Sequence, residues 1–387
     1  MTTITETRAS RTWLIILTST AVGLYWFSMY LYVPTLPIYA QTKTEDLAVV
    51  GIVLAQYGLW QAVIRLPLGI LSDWVGRRKP FIIGGLVLAG VGAWMMGSSG
   101  SITGVLVGRA VTGLAAGSWV VMVVAFSSLF PLEQAVRATA LLTLINSASR
   151  MLATASNGSL NDLGGYGLAF ILAAASAVAA VLVFLPVRED RLPSRPPSWS
   201  TTGRLIIRRD VLLPALLNAV LEYASYATIF GFFPILAKKL GADNVALSLL
   251  VSMNLAVSLV GNLAATSLAA RFGTKRLILA GFGLTIAGIL AAWLAISLQF
   301  IYLAQFLIGL GFGIAYPTLM GKSIERVEGP SRSTAMGLHQ SVYAIGMFSG
   351  PWLSGILADK IGVQPMFAVT AVGILLLAGL GWSRLDP

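Results

Sequence analysis

Long apolar runs alternate with short polar and charged breaks along the whole chain. Twelve runs can be delimited, over residues 13–38, 47–70, 80–97, 102–129, 138–160, 167–186, 211–236, 245–269, 277–297, 300–321, 334–356 and 365–383. A helix of about 20 residues crosses the ~30 Å hydrocarbon core of a bilayer. The runs are continuously apolar and do not alternate, which favours helices over a membrane β-barrel. The pattern therefore predicts an all-α membrane protein with twelve transmembrane helices.

Composition supports a membrane protein, and the location of the charges orients it. The chain is 57% hydrophobic and 11% charged, with a mean hydropathy of +0.83, whereas soluble domains carry about 25% charged residues. The net charge is +11, and 19 of the 26 Lys and Arg residues lie on the side that holds both termini. This bias predicts a multi-pass protein of the inner (plasma) membrane with cytoplasmic termini, and no nucleic-acid partner. The first apolar run is too long for a cleavable signal peptide.

A polar segment rich in Pro, Ser and Arg divides the runs into two sets of six that resemble each other. Pro37 and Gly76 recur as Pro234 and Gly273, 197 residues later. The same shift relates Asp162 to Asp359 and Phe170 to Phe367. A shift of 196 relates Gly113 to Gly309 and Gly117 to Gly313. We therefore expect an N-terminal six-helix bundle (1–186), a cytoplasmic linker (187–210) and a C-terminal bundle (211–387). Such repeats are typical of alternating-access transporters whose substrate site lies between the halves.

Three short motifs carry a family resemblance. The loop "GILSDWVGRRKP" holds Gly69, Asp73, Gly76, Arg77 and Arg78 at the spacing of the signature loop of the major facilitator superfamily. "LVGRAVTGLAAG", with Arg109, is similar to the helix-4 motif of proton-driven members, and "VPTLP" resembles the drug:proton antiporter branch. The resemblance covers the whole chain and implies the major facilitator fold, with two pseudo-symmetric six-helix bundles and helices 1, 4, 7 and 10 lining the cavity.

The signature loop has two interpretations. The resemblance implies that Asp73 and Arg77 latch the loop against helix 11 in the outward-open state, and their spacing of four residues permits a local ion pair. Alternatively, the loop cations only orient insertion, an interpretation that we favour for Arg78. The matching loop of the second half carries Ala270 and Thr274 instead of the pair, so a latch would belong to one half.

One acid is predicted well inside a span. Glu222 shares a face of helix 7 with Asn218 and Tyr226, and the resemblance implies that this face lines the cavity. A carboxylate at that depth is costly unless it is paired, hydrated or neutralised, so a functional role is the default hypothesis. We expect Glu222 to bind a proton or substrate, and Asn218 and Tyr226 to contact the substrate. For Glu222 the alternative is a structural hydrogen bond between helices.

Three arginines are also predicted inside spans. For Arg109 the resemblance implies a part in proton coupling, and Gln305, its counterpart in the second half, is a candidate substrate ligand. Arg150 shares a face of helix 5 with Thr143 and Ser147, where it either binds an anionic group or pairs with a neighbouring helix. Arg65, near the cytoplasmic end of helix 2, can extend toward the interface and is expected to serve structure or gating.

Aromatic residues and the single histidine complete the candidates. Tyr25, Trp26 and Tyr30 of helix 1 and Tyr316 of helix 10 either line a cavity for flat or amphipathic substrates or anchor the helices at the interface. His339 is a candidate substrate ligand, with a packed, hydrogen-bonded histidine as the alternative.

These residues favour a secondary active transporter that exports small amphipathic or drug-like molecules in exchange for protons. The alternative is a transporter or exchanger of organic or inorganic anions, lipid-like ones included. It is favoured because the predicted spans contain three arginines and one glutamate, an excess of positive charge that a negative substrate would compensate. An enzyme is not expected, since no nucleophile–base pair, metal cluster or phosphate loop stands out. We expect no metal or cofactor, a proton gradient as the energy source, and a monomer whose partners are its small-molecule substrate and the bilayer.

Overall fold

The computed structural model describes residues 2–131, 134–189, 208–327 and 332–385. Eleven helical stretches in these ranges are long and apolar enough to cross a membrane. One of them, Ala135–Phe184, has 50 residues and contains a break at Gly164 and Gly165, where the backbone leaves helical geometry. At 1.5 Å per residue it would measure about 75 Å unbroken, more than twice a bilayer core, so the break turns it into two spans.

The chain thus forms the twelve predicted spans, numbered α1 to α12 with helical segments that continue one another counted together. Gly165 has a positive φ of 68°, which suits a reversal between two spans. The bounds are α1 Thr2–Tyr30 with Val33–Thr35 and Leu36–Gln41, α2 Leu47–Val75, α3 Lys79–Ser98, α4 Ile102–Gly117 with Trp119–Ser127, α5 135–163, α6 166–184, α7 Arg209–Ala227 with Thr228–Phe232 and Phe233–Lys239, α8 Asn244–Phe272, α9 Thr274–Trp293, α10 Leu298–Ile324, α11 Arg332–Ile361 and α12 Val363–Ser383.

The two sets of six helices form matching bundles. In the first half α1 packs against α5 and α2 against α4; in the second half α7 packs against α11 and α8 against α10. The repeat extends to backbone detail, since Gly76 and Gly273 both have positive φ at the α2 and α8 ends, and Gly165 and Gly362 do so 197 residues apart. The predicted linker at 187–210 falls largely outside the described residues and stays a prediction.

Two long seams join the halves, α2 along α11 and α5 along α8. We call the side that holds both described chain ends the terminal face and the other side the distal face. Glycines let the seams close tightly near the distal face: a Cβ on Gly355 of α11 would lie 2.8 Å from the carbonyl oxygen of Leu47, at the start of α2. Toward the terminal face the halves separate around a central cavity.

Helix α7 is irregular near its middle. The regular turns of Arg209–Ala227 pass into a π-helical segment, Thr228–Phe232, before Phe233–Lys239 resumes the α-helix. A π turn bonds residue i to i+5 and holds one more residue than an α turn. It lies directly after the buried stretch that carries Glu222 and Tyr226.

Candidate functional site

A cavity of about 350 Å³ lies between the halves and extends toward the terminal face. The expected spans α1, α4, α7 and α10 line it, and α2, α5, α8 and α11 do so as well; of the described residues, none from α3, α6, α9 or α12 contributes. The charged and aromatic side chains of the lining are Trp26, Tyr30, Tyr57, Arg65, Trp119, Arg150, Glu222, Tyr226, Phe230, Phe312, Tyr316 and Tyr343. The cavity therefore combines an aromatic wall with two cations and one acid.

Glu222 is the only acid among the described residues that line the cavity. Its side chain is 5% exposed, and no basic nitrogen within the described part of the chain comes within the 4.0 Å of an ion pair. Arg65 and Arg150 line the same cavity. A largely buried carboxylate without an ion-pair partner is costly when charged, so binding of a proton changes the electrostatic free energy of such a site strongly.

Only part of the predicted α7 stripe faces the cavity. Tyr226 lines it beside Glu222, whereas Asn218 is fully buried and its Nδ2 lies 2.9 Å from Nε2 of His339 on α11. Substrate-binding roles for Asn218 and His339 are therefore not supported by their position. The structural alternative for the histidine matches the geometry, because the pair fastens α7 to α11 within one half.

Arg150 lies at the cavity wall against two aromatic rings. Its guanidinium carbon is 4.1 Å from the centroid of Tyr30 and 5.9 Å from that of Trp26. Such cation–π contacts stabilise a buried charge without neutralising it. Its Nε is buried and has no hydrogen-bond partner in the described ranges, and the residue lines the cavity.

Arg65 connects the two halves. Its Nη1 donates to the Tyr343 hydroxyl of α11 at 2.7 Å, and its Nη2 donates to Gln61 one turn earlier on α2. The side chain is 4% exposed, which corrects the expectation that it extends to the interface. Arg65 precedes the end of α2 by ten residues, about 15 Å of helix, so the cavity and α11 are nearer than the membrane surface.

Arg109 and Gln305, which are counterparts in the repeat, both lie outside the cavity lining. The Arg109 guanidinium carbon is 4.2 Å from the Tyr57 ring centroid, and Tyr57 lines the cavity. Arg109 is thus separated from the cavity by one ring. Gln305 is fully buried, and Asn254 donates to its backbone oxygen at 2.8 Å. For Gln305 the predicted contact with substrate does not match its position.

Aromatic rings from both halves close the cavity at its distal end. Tyr57 stacks on Tyr226 with centroids 6.3 Å apart, and Tyr30 meets Phe230 edge-to-face at 6.1 Å. Trp26 and Tyr316 line the cavity as predicted. Tyr25 does not: it is fully buried, and its hydroxyl donates to the carbonyl oxygen of Ala115 on α4 at 2.8 Å.

The signature loop forms a different ion pair from the predicted one. Asp73 lies 3.8 Å from Arg78, and Arg77 is exposed. The four-residue spacing of Asp73 and Arg77 brings side chains together only in a continuing helix, but α2 ends at Val75 and Gly76 adopts a left-handed conformation. A Cβ at Gly69 would lie at an ordinary van der Waals distance, 3.7 Å, from Cγ1 of Val120, so the packing there does not require a glycine. A latch against α11 in the outward-open state stays a prediction.

Sequence reasoning missed several lining residues. Tyr57, Gln61 and Tyr343 are central to the arginine contacts, and Trp119 and Phe230 complete the aromatic wall. For Gln61 the signal was present, since it precedes Arg65 by four residues, one helical turn. For Tyr343 no local signal indicates contact with an arginine 278 positions away in sequence.

Comparison with known proteins identifies relatives for the whole chain. The family model of the Major Facilitator Superfamily matches residues 18–221 and again 215–387. The chain is 24% identical to the multidrug resistance protein MdtL of Klebsiella pneumoniae, over 93% of this chain and 91% of that protein. It is 39% identical to the inner membrane transport protein YajR of Escherichia coli, but only over 24% of this chain and 21% of YajR.

Solved structures share the fold at low identity. A bacterial homologue of the human lysosomal transporter Spinster, in an inward-facing and unoccupied conformation, superposes with a TM-score of 0.80 at 14% identity, covering 97% of this chain and 96% of that one. The nucleoside transporter NupG, in a mutant form, gives 0.77 at 16% identity, covering 96% and 100%. The likeness concerns the arrangement of the helices.

Proposed function

The chain belongs to the Major Facilitator Superfamily, and from that premise we propose that it is a proton-coupled exporter of small amphipathic molecules. The observation that carries the proposal is Glu222, the one described acid in a central cavity that is otherwise aromatic and cationic. Export and drug-like substrates draw on the likeness to MdtL, whose name assigns it to multidrug resistance.

The shape of the cavity supports alternating access. The space between the halves reaches Thr139 on α5 and Met336 on α11, both close to the terminal-face ends of their helices. At the distal end the rings and the glycine seams bring the halves into contact. With cytoplasmic termini this arrangement is the inward-facing one, and rocking of the halves would expose Glu222 to the other side.

The charge of the cavity links substrate to proton. With Glu222 ionised, it and the two lining arginines, Arg65 and Arg150, leave a net charge of +1; a proton on Glu222 raises it to +2. A cationic substrate therefore binds better to the deprotonated cavity and competes with the proton, as antiport requires. Proton occupancy supplies the difference in free energy between the two states of a transport cycle.

Transport in proteoliposomes tests this proposal. Vesicles that contain the native protein are expected to accumulate ethidium, a flat cation, when a proton gradient is imposed. Glu222→Gln is expected to reduce this gradient-driven accumulation at least about tenfold. Passive counterflow of ethidium persists in the variant, which shows that it is folded. The matched control is Glu45→Gln, an exposed acid in the α1–α2 connection. Gradient-driven accumulation that survives Glu222→Gln would rule out the proposal.

A second candidate function is transport of an organic anion. The observation that favours it is Arg150, a cation at the cavity wall with two aromatic rings beside it. An anion binds better when Glu222 is protonated, so anion and proton would move together. Proton entry that accompanies fluorescein, and not ethidium, selects this candidate.

A further inference from the structure

The distal ends of α2 and α8 have the same N-terminal cap. Asp46 accepts a hydrogen bond from the Val49 amide at 3.0 Å, and Asp243 accepts one from the Ala246 amide at 2.7 Å. These two aspartates lie 197 residues apart. Each cap comes from the residue just before its own helix and satisfies an amide that the helix leaves without a partner.

A second aspartate reaches each of these helix ends from the opposite half. Asp359, near the end of α11, accepts from the backbone amide of Leu47 at 3.3 Å. Asp162, near the end of α5, accepts from Nδ2 of Asn244 at 2.7 Å. Asp162 and Asp359 are again 197 residues apart, as are the residues they contact. One contact lies on each seam, α2–α11 and α5–α8.

A glycine one turn before each of these aspartates brings the helices close enough for the contact. Gly158 and Gly355 are also counterparts in the repeat. A Cβ on Gly355 would press on the Leu47 carbonyl oxygen, and one on Gly158 on that of Asn244. The backbone approach therefore places each carboxylate beside the positive end of a helix in the other half, where a negative charge is stabilised.

We propose that Asp162 and Asp359 form a two-point clamp that holds the distal face closed in this conformation and is broken when the cavity opens there. Both contacts cross between the halves, so any rocking motion that separates the distal ends breaks them. Asp46 and Asp243 bind within their own halves and move with them. The clamp does not involve Glu222 or protons and is independent of the proposed function.

Pulsed electron–electron distance measurement tests the clamp. The native chain has no cysteine, so Glu45→Cys and Lys239→Cys, at exposed distal sites in opposite halves, give one spin-label pair without further changes. Loss of one exposed charged hydrogen bond is expected to raise the ratio of distal-open to distal-closed molecules about threefold. Asp162→Ala and Asp359→Ala each produce this change, and the double variant raises the ratio about tenfold.

The matched controls are Asp46→Ala and Asp243→Ala, which remove an aspartate from the same helix ends without removing a contact between halves. They lower the melting temperature and leave the distance distribution unchanged. Asp162→Asn and Asp359→Asn keep an acceptor without the charge and give an intermediate shift, so the test does not depend on the alanine variants folding. Equal distributions in clamp and control variants would overturn the clamp.

Discussion

The two halves of the protein share a scaffold but not their chemistry. Positions that shape the backbone agree across the repeat: Gly76 with Gly273, Gly158 with Gly355, Gly165 with Gly362, Asp46 with Asp243 and Asp162 with Asp359. The four charged residues deep inside spans have uncharged counterparts instead: Glu222 with Tyr25, Arg65 with Asn262, Arg109 with Gln305 and Arg150 with Met347.

This difference follows from what each region does. The halves pack closely only if both seams, α2–α11 and α5–α8, allow it, so each seam needs its own glycine and helix cap. A single central cavity needs one acid, and a second would add the cost of another buried charge. The two halves therefore contribute different charged residues to the cavity: the first supplies Arg65 and Arg150, and the second supplies Glu222.

Breaking the shared scaffold is expected to have the largest effect. Gly355→Ala places a methyl group 2.8 Å from the Leu47 carbonyl oxygen, so the seam must separate at a cost of about 2 kcal/mol. Gly158→Ala, its counterpart, has a similar effect. The measurement is the melting temperature in detergent.

Gly84→Ala and Gly373→Ala are the controls for these seam variants. A Cβ at either position meets no atom within 4 Å, and alanine favours the helix by up to ~1 kcal/mol. These controls are therefore expected to melt at the native temperature or slightly above it. A seam variant that melts with the controls would contradict the tight approach of the halves.

Exchanging chemistry between counterparts is expected to have the next largest effect. Arg150→Met gives the first half the residue that its counterpart carries and removes the cation beside Tyr30. The affinity for fluorescein, measured by equilibrium binding to purified protein, falls about tenfold, the value of one charged hydrogen bond. Ethidium binds equally well or better, because the cavity loses a positive charge.

Arg77→Met serves as the control for Arg150→Met, since it removes an exposed arginine of the signature loop. It leaves both affinities unchanged. Unaltered fluorescein binding in Arg150→Met would show that the arginine contacts rings only and does not recognise an anion.

The smallest effect is expected at Tyr25, the counterpart of Glu222. Tyr25→Phe removes the hydrogen bond to the Ala115 carbonyl oxygen, at a cost of about 1 kcal/mol in stability. Gradient-driven ethidium transport persists at the native rate, in contrast to Glu222→Gln. A loss of coupling in Tyr25→Phe would show that the proton pathway includes both halves.

The sequence predicted the spans well because membrane insertion imposes length and hydropathy directly on the chain. It placed Glu222, Tyr226 and Tyr30 correctly at the cavity. It misplaced Asn218 and Tyr25, since helical periodicity identifies a face but not the neighbour which that face meets. Which half of a stripe faces the cavity depends on the tilt and rotation of whole helices.

The contacts of the charged groups were the least predictable part. Arg65 was expected near the interface because the sequence shows only how far it lies from the end of its helix. Its partner Tyr343 is on another helix, and the sequence does not indicate that contact. The Asp73–Arg77 pair assumed an α-helix through Gly76, whose left-handed backbone brings Arg78 to the carboxylate instead. Short-range spacing is reliable only as far as the helix continues.

The π turn at Thr228–Phe232 gives α7 a joint just beyond its acid. Sharp kinks in helices commonly lie at such π turns, so a change of bend in α7 is expected there. The part of α7 before the joint is fastened to α11 through Asn218, and the part after it carries the distal connection to α8. A change of bend at the π turn would therefore redirect the distal segment Phe233–Lys239 and leave Glu222 in place relative to α11.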